Sequence, residues 1–373
     1  MIPVNQVLIT KKDALAVYNV VKSGWLSSSG KKVIEFEEKL KNYIGKKYCS
    51  LVANGTAALE IAVKSLDLKK GDEIIAPNFT IISNALSIIK QDLKPVFIDC
   101  DINNWNMKIN DIEKSITKRT KAIMAVHIYG YPLEIDKIIK ICKKYNLTLI
   151  EDASEMLGHK FKKKLCGSFG HISTFSFYAN KHITTGEGGA ILTNLKILDE
   201  RVKKLRNLCF GKVNRYNHDE IGWNYRLTNM QAALGLSQLN RINSIIKKKI
   251  SIGKYYYSFL KKNKNIYIQK PALMNQRNVY WVVGILIKNK KISANIIRSK
   301  LKKFGIETRA FFWPMHKQKI LKKLDIKINE KEVGAQAFPN SEYLSKYGFY
   351  LPSGLGITRN QIKFICEKIK KII

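Results

Sequence analysis

Apolar and polar positions alternate in two rhythms along this chain. Short apolar runs bounded by Pro, Gly, Asn or Asp read as strands, and stretches with apolar residues every three or four positions read as helices. Residues 48–52 predict a strand that leads into Asn54-Gly55-Thr56, followed by a helix with Ala58, Leu59, Ala62, Val63 and Leu66 on one face. Residues 73–76, ended by Pro77, predict a second strand. Residues 95–98, closed by Asp99-Cys100-Asp101, predict a third, and 122–128, ending at Tyr129-Gly130-Tyr131-Pro132, a fourth. A helix over 135–144 and a strand over 147–150 follow. Such apolar runs suit strands covered on both faces, and their alternation with helices predicts an α/β fold with a mostly parallel sheet. Beyond Asn194 the pattern is helical to about residue 249, where composition shifts toward Lys, Tyr and Asn. Residues 279–287 then predict a strand, 296–304 a helix and 361–372 a terminal helix. The chain divides on this reading into a large domain, residues 1–245, and a small C-terminal α/β domain, residues 246–373, with no internal repeat.

Composition narrows the picture. A chain of 373 residues, 45% hydrophobic with a mean hydropathy of −0.18, has the balance of a globular protein with a large core. No apolar run approaches the roughly 20 residues that span a bilayer. Lys11, Lys12 and Asp13 interrupt the N-terminal stretch, so it is not a signal peptide. The expectation is a cytoplasmic protein with no membrane partner. The six cysteines are scattered without a CxxC pair or zinc spacing, so neither disulfides nor a metal site is expected. The net charge of +37 raises the question of a polyanion. The lysines fall in pairs and triplets spread along the chain, however, and no zinc finger, basic zipper or RNP motif is present. A Lys-rich surface that also favours an anionic substrate is expected, rather than dedicated nucleic-acid binding.

The candidate chemistry lies between Ser173 and Gly189. One lysine, Lys181, stands between a hydroxyl-rich β-type run and the turn Gly186-Glu187-Gly188-Gly189, and Asp152 follows the apolar run 147–150. A lysine in a buried turn sheds its charge readily and forms Schiff bases, and a strand-end carboxylate holds a pyridinium proton. Those are the two services pyridoxal phosphate requires from a protein. A lone lysine is usually surface and a strand-end Asp is usually a cap; the pairing is what points to chemistry. Gly55 and Thr56 open a helix, where free N–H groups favour an anion, although Asn-Gly-Thr alone is an ordinary turn and cap. The Gly-rich turn has the spacing of neither a dinucleotide fingerprint nor a P-loop.

Glu151-Asp152-Ala153-Ser154-Glu155, Gly167-Ser168-Phe169-Gly170 and the lysine segment, in that order, closely resemble the motifs of the DegT-type sugar-nucleotide aminotransferases. The likeness runs from Ile2-Pro3-Val4 to Leu351-Pro352. It implies an aspartate-aminotransferase-like large domain of PLP fold type I, pyridoxal 5'-phosphate held by Lys181, and amino transfer from L-glutamate to a nucleotide-bound keto sugar. By that resemblance Asp152 faces the pyridine nitrogen, Glu155 lies beside the phenolic oxygen, and Gly55, Thr56 and Ser176 hold the phosphate. Asn224 is expected to reach the phosphate across a homodimer interface, giving shared active sites. Arg226 of the same motif, together with Trp313 and His316, is expected on the substrate side. Where relatives place an aromatic residue over the cofactor ring this chain has Ile81, an aliphatic cover without the aromatic contribution. Asn104-Trp105-Asn106-Met107, Val126-His127-Ile128-Tyr129-Gly130 and Phe312-Trp313-Pro314 are most similar to members that convert GDP-4-keto-6-deoxymannose to GDP-perosamine. Members that form dTDP-viosamine from dTDP-4-keto-6-deoxyglucose are the alternative. A dehydratase relative, in which His replaces the lysine, and a PLP-binding regulator are both disfavoured by the intact Lys181–Asp152 pair.

Overall fold

The computed structural model describes residues 1–211, 213–273, 276–288, 292–324 and 338–373. The larger of its two main sheets has seven strands: β1 (Tyr48–Val52), β2 (Glu73–Pro77), β3 (Lys94–Ile98), β4 (Thr120–Val126), β5 (Thr148–Asp152) and, after a separate hairpin of β6 (Lys160–Phe161) and β7 (Lys164–Leu165), β8 (Ile172–Ser176) and β9 (Gly189–Thr193). The spatial order is β1-β9-β8-β5-β4-β2-β3. Strand β9 runs antiparallel to both of its neighbours, and every other pair is parallel. Side chains alternate between two cores, as the pleat demands. Ile74, Ala76, Ala122 and Met124 pack on one face, while Ile75, Ile123 and Ala125 pack on the other. Coverage on both faces explains why these strands read as continuous apolar runs.

The second sheet is antiparallel, with Ile266–Ile268, Val283–Ile287, Gly348–Leu351 and Arg309–Ala310 in that order. Helices Ala294–Lys303 and Arg359–Ile372 pack on it. The chain's first residues also join this body: Ile2 bridges to Ile306, and Val4 N donates to Glu307 Oε2 at 2.9 Å. The helix Ile242–Leu260 runs unbroken through residue 245. Its Ile245 enters the core beneath β5, and its Ile252, Tyr256 and Leu260 enter the core shared with the second sheet.

Two expectations are corrected. Residues 206–211 and 213–228 are not helical; helices occupy Lys196–Leu205, Asn229–Leu239 and Ile242–Leu260. Leu208 and Cys209 take positive φ (59° and 50°), and Trp223 N returns to Leu205 O at 2.8 Å, so the segment folds back on the helix that precedes it. The strand expected over 279–287 begins at Val283. Tyr280 has φ 52°, and its ring fills the space a side chain at Gly253 would take, where a Cβ would lie 2.2 Å from it. The apolar run Val279-Tyr280-Trp281-Val282 is therefore a buried turn that aims Trp281 elsewhere. All six cysteines are buried and unpaired. Among the described residues no helix is long and apolar enough to cross a membrane.

Candidate active site

Parallel strands of an open α/β sheet present their carboxyl ends along one edge, the usual place for a ligand crevice. Here a cleft of 610 Å³ opens beside the ends of β5 and β8. Asp152 is the last residue of β5 and is 3% exposed. Its Oδ2 accepts from Asn84 Nδ2 at 2.9 Å and its Oδ1 from Ser154 N at 3.1 Å. Asn84 is itself oriented by Thr80, whose hydroxyl donates to Asn84 Oδ1 at 2.9 Å. The carboxylate is thus fixed in place and keeps spare lone pairs toward the cleft.

Lys181 leaves β8 in a tight turn, its N–H bonded to Tyr178 O at 2.9 Å. Nζ lies 4.0 Å from Glu155 Oε1 and 4.1 Å from the centroid of the Trp281 ring. Burial draws the amine's pKa below its ordinary value, against the opposing pull of Glu155 and Asp152. Glu155 accepts from Tyr129 N at 2.7 Å. Burial, with a smaller push from Asp152, raises its carboxyl to about 8 despite Lys181 and that N–H. At neutral pH the carboxyl favours its proton.

A cradle for an anion lies in the same cleft. Asn54 caps the helix Gly55–Lys64 by accepting from Ala57 N at 2.8 Å, which leaves the first N–H groups, those of Gly55 and Thr56, free. Thr56 and Ser83 hydroxyls meet at 2.8 Å. A Cβ on Gly55 would lie 2.8 Å from Ser176 Cβ, so only glycine lets the helix start reach the end of β8. Two N–H groups, hydroxyls of Thr56 and Ser176 and a helix dipole fit a phosphate. With Asp152 and a lysine whose pKa burial lowers, the donor set fits pyridoxal phosphate.

The motif Gly167-Ser168-Phe169-Gly170 works one layer below. Its N–H groups at Gly167, Phe169 and Gly170 donate to the buried Glu151 carboxylate at 2.6, 2.8 and 2.8 Å. His127, on the cleft wall, approaches Glu151 Oε1 through Nε2 at 3.2 Å. Burial alone would raise the Glu151 pKa; His127 and the N–H donors outweigh it and hold the group below its usual range.

Gly55, Thr56, Ile81, Asp152, Glu155, Ser176 and Lys181 all line this one cleft. Ile81 is 46% exposed at its mouth, preceding the helix Ile82–Ile89. Four expected residues do not line it. His316 is tied to Asn78 at 2.9 Å and to Glu342 at 3.1 Å, and Trp313 points outward with Nε1 on Lys317 O at 3.2 Å; Phe312 beside it lines the cleft instead. Asn224 accepts from Arg226 Nε at 2.9 Å, and Arg226 also reaches Asn207, while Tyr225 between them turns inward to Glu60 at 3.0 Å. The second sheet and its turn supply residues that the sequence reading passed over: Trp281, Arg309 and Tyr350. Trp281 was masked by the strand-like look of its surroundings.

A family model for the DegT/DnrJ/EryC1/StrS aminotransferases matches residues 7–370. The chain belongs to that family. This aminotransferase depends on pyridoxal phosphate and has the fold-type I architecture. It is 38% identical over 371 residues to a GDP-perosamine synthase of Escherichia coli O157:H7, covering 99% of this chain and 98% of the relative. A GDP-perosamine synthase of Vibrio cholerae is 35% identical over 372 residues, with the same coverage. The solved structure of Helicobacter pylori PseC, an aminotransferase involved in pseudoaminic acid biosynthesis, matches with a TM-score of 0.91 at 28% identity, covering 99% of this chain and 98% of that one.

Proposed function

We propose that this aminotransferase moves the amino group of L-glutamate to the 4-keto carbon of GDP-4-keto-6-deoxymannose, giving GDP-perosamine. The observation that carries the chemistry is that Lys181, Asp152 and the anion cradle open into one cleft. Near-complete coverage by two relatives named GDP-perosamine synthase supports the substrate.

Bound in the cleft, pyridoxal phosphate supplies an electron sink. Lys181 would hold it covalently at rest, and the freed amine, its pKa lowered by burial, would move a proton at Nζ between the substrate carbon and the cofactor's aldehyde carbon. Asp152, fixed by Asn84, would keep the ring nitrogen protonated. The Gly55 and Thr56 N–H groups and the Ser176 hydroxyl would hold the phosphate, Ile81 would cover the ring by dispersion, and a protonated Glu155 would sit near the phenolic oxygen without repelling it. His316 and Trp313 act on the substrate side through the segment that carries Phe312.

The same reading makes the protein a cytoplasmic homodimer. Asn224 and Arg226 lie outside their own cleft and would serve the neighbour's, and Leu15, Tyr18, Val21, Trp25 and Ile34 leave an exposed apolar surface on the first two helices and the turn between them. Residues 1–245 would carry the cofactor and 246–373 would close over the substrate. The test is to supply protein, cofactor and L-glutamate with each keto-sugar nucleotide and identify the product by mass spectrometry and NMR. A 4-amino GDP sugar is expected. Amination of dTDP-4-keto-6-deoxyglucose alone transfers the reading to dTDP-viosamine, and a deoxygenated sugar defeats transamination.

A further inference from the structure

The positive charge is not spread evenly. From Ile221 to Ile306 the chain contains no aspartate or glutamate, against fourteen lysines and four arginines. That stretch alone holds nearly half of the net charge of +37. Elsewhere lysines find carboxylates, as in Lys90–Glu60 and Lys203–Asp199 at 2.6 Å. Among the described residues, no lysine between 247 and 303 or between 346 and 371 lies within 4.0 Å of a carboxylate. Charge left unpaired over so much surface costs self-repulsion, which an anionic partner relieves.

Two helices of the second body give this charge a shape. On Ala294–Lys303 the exposed Ile296 and Lys300, followed by Phe304, are spaced by four residues and so share one face. On Arg359–Ile372 Phe364, Lys368 and Lys371 share another. The two stripes meet where Lys368 Nζ lies 4.7 Å from the Phe304 ring centroid and 5.1 Å from that of Phe364. Both rings are exposed, Phe304 at 44% and Phe364 at 37%. None of these residues lines the cleft.

We propose that this face docks the enzyme on an anionic lipid surface. Lysines attract the headgroup charge while Phe304, Phe364 and Ile296 enter the acyl boundary, the division of labour of interfacial helices. The exposed aliphatic and aromatic residues favour lipid over a nucleic acid, which would take up the lysines without burying Ile296. The absence of a spanning run has no bearing, because surface docking needs none.

The test is co-sedimentation of the full chain with vesicles of phosphatidylcholine, and with vesicles containing about one-third phosphatidylglycerol. Binding to the anionic vesicles alone is expected, weakening as salt rises. Phe304→Ser with Phe364→Ser should reduce it at least five-fold with charge unchanged. Lys300→Glu with Lys368→Glu should reduce it more than ten-fold, each lysine near the surface contributing about five-fold. Turnover in solution should match the wild type in both variants, which also shows them folded. No binding to anionic vesicles at low salt overturns the proposal. So does wild-type affinity in the double-serine variant, and so does tighter capture by a polynucleotide than by the vesicles.

Discussion

Lys249 is a buried amine and Lys181 a largely buried one, 4% and 13% exposed, and the contrast between them separates reactivity from burial. Lys249 sits on the helix Ile242–Leu260 and donates to Ser353 O at 2.7 Å. Burial pushes its pKa down to about 7 with no opposing carboxylate. Lys181 is also drawn down by burial, but Glu155 and Asp152 pull it back and its amine opens on a cleft. Lys249 can be neutral near physiological pH, and Lys181 is shifted in the same direction. Only Lys181 has a void for a substrate, an acid to trade protons with and an anion cradle within the same walls. Desolvation makes an amine available, and the surrounding geometry gives it something to do.

The largest expected break is Lys181→Ala, which should lower turnover at least about 1,000-fold while circular dichroism stays native. Substantial residual turnover would remove Lys181 from the chemistry. Asp152→Asn comes next. Its amide cannot hold a ring proton as a carboxylate does, and a loss of about 100-fold or more is expected, read as kcat in steady state.

Lys249→Met should do the opposite. Turnover should stay within a few-fold, and stability should rise by about 1–3 kcal/mol at pH 6. The sign follows from proton binding. The unfolded lysine titrates near 10.5 and the folded one near 7. Between those values the unfolded chain holds a proton that the native one lacks, so wild-type stability gains with rising pH. Below pH 7 the native state must bury the charge. The advantage of the Met variant should therefore be greatest at pH 6 and shrink by pH 9, as urea midpoints would show. A difference independent of pH would mean that the amine is not titrating in a buried site.

The smallest effect is expected for Glu155→Gln. Below about pH 8 the native carboxyl keeps its proton, and Gln imitates that neutral form, so turnover at pH 7 should change less than about ten-fold. Above pH 8 the wild type gains a carboxylate that supports the Lys181 ammonium and the variant does not. The two pH–rate profiles should separate there.

Those two lysines also mark what the sequence could reveal. Lys181 lay in an ordered motif, and the expected residues that share its cleft came from short motifs at or after the ends of β1, β2, β5 and β8. The placement of Asp152 at the end of β5 followed from apolar runs alone. Lys249 was indistinguishable in sequence from Lys247 and Lys248, because which of three successive helical lysines faces inward depends on the partner surface at Ser353. Trp281 was hidden for a related reason. An apolar run reads as strand until a tertiary contact, here the Tyr280 ring over Gly253, forces a turn. The stretch after Leu205 looked helical by its pattern, but Trp223 and Tyr225 bond back to Leu205 and Arg206, which no local pattern announces. His316 was expected near the sugar, and the structure commits its ring to Asn78 and Glu342.

The central claim is that the amine at position 181 carries the cofactor. Borohydride reduction of the protein loaded with pyridoxal phosphate fixes the attachment, and peptide mapping by mass spectrometry locates it. The account predicts a single stoichiometric adduct on the peptide containing Lys181, and an adduct on the Lys249 peptide instead would contradict it.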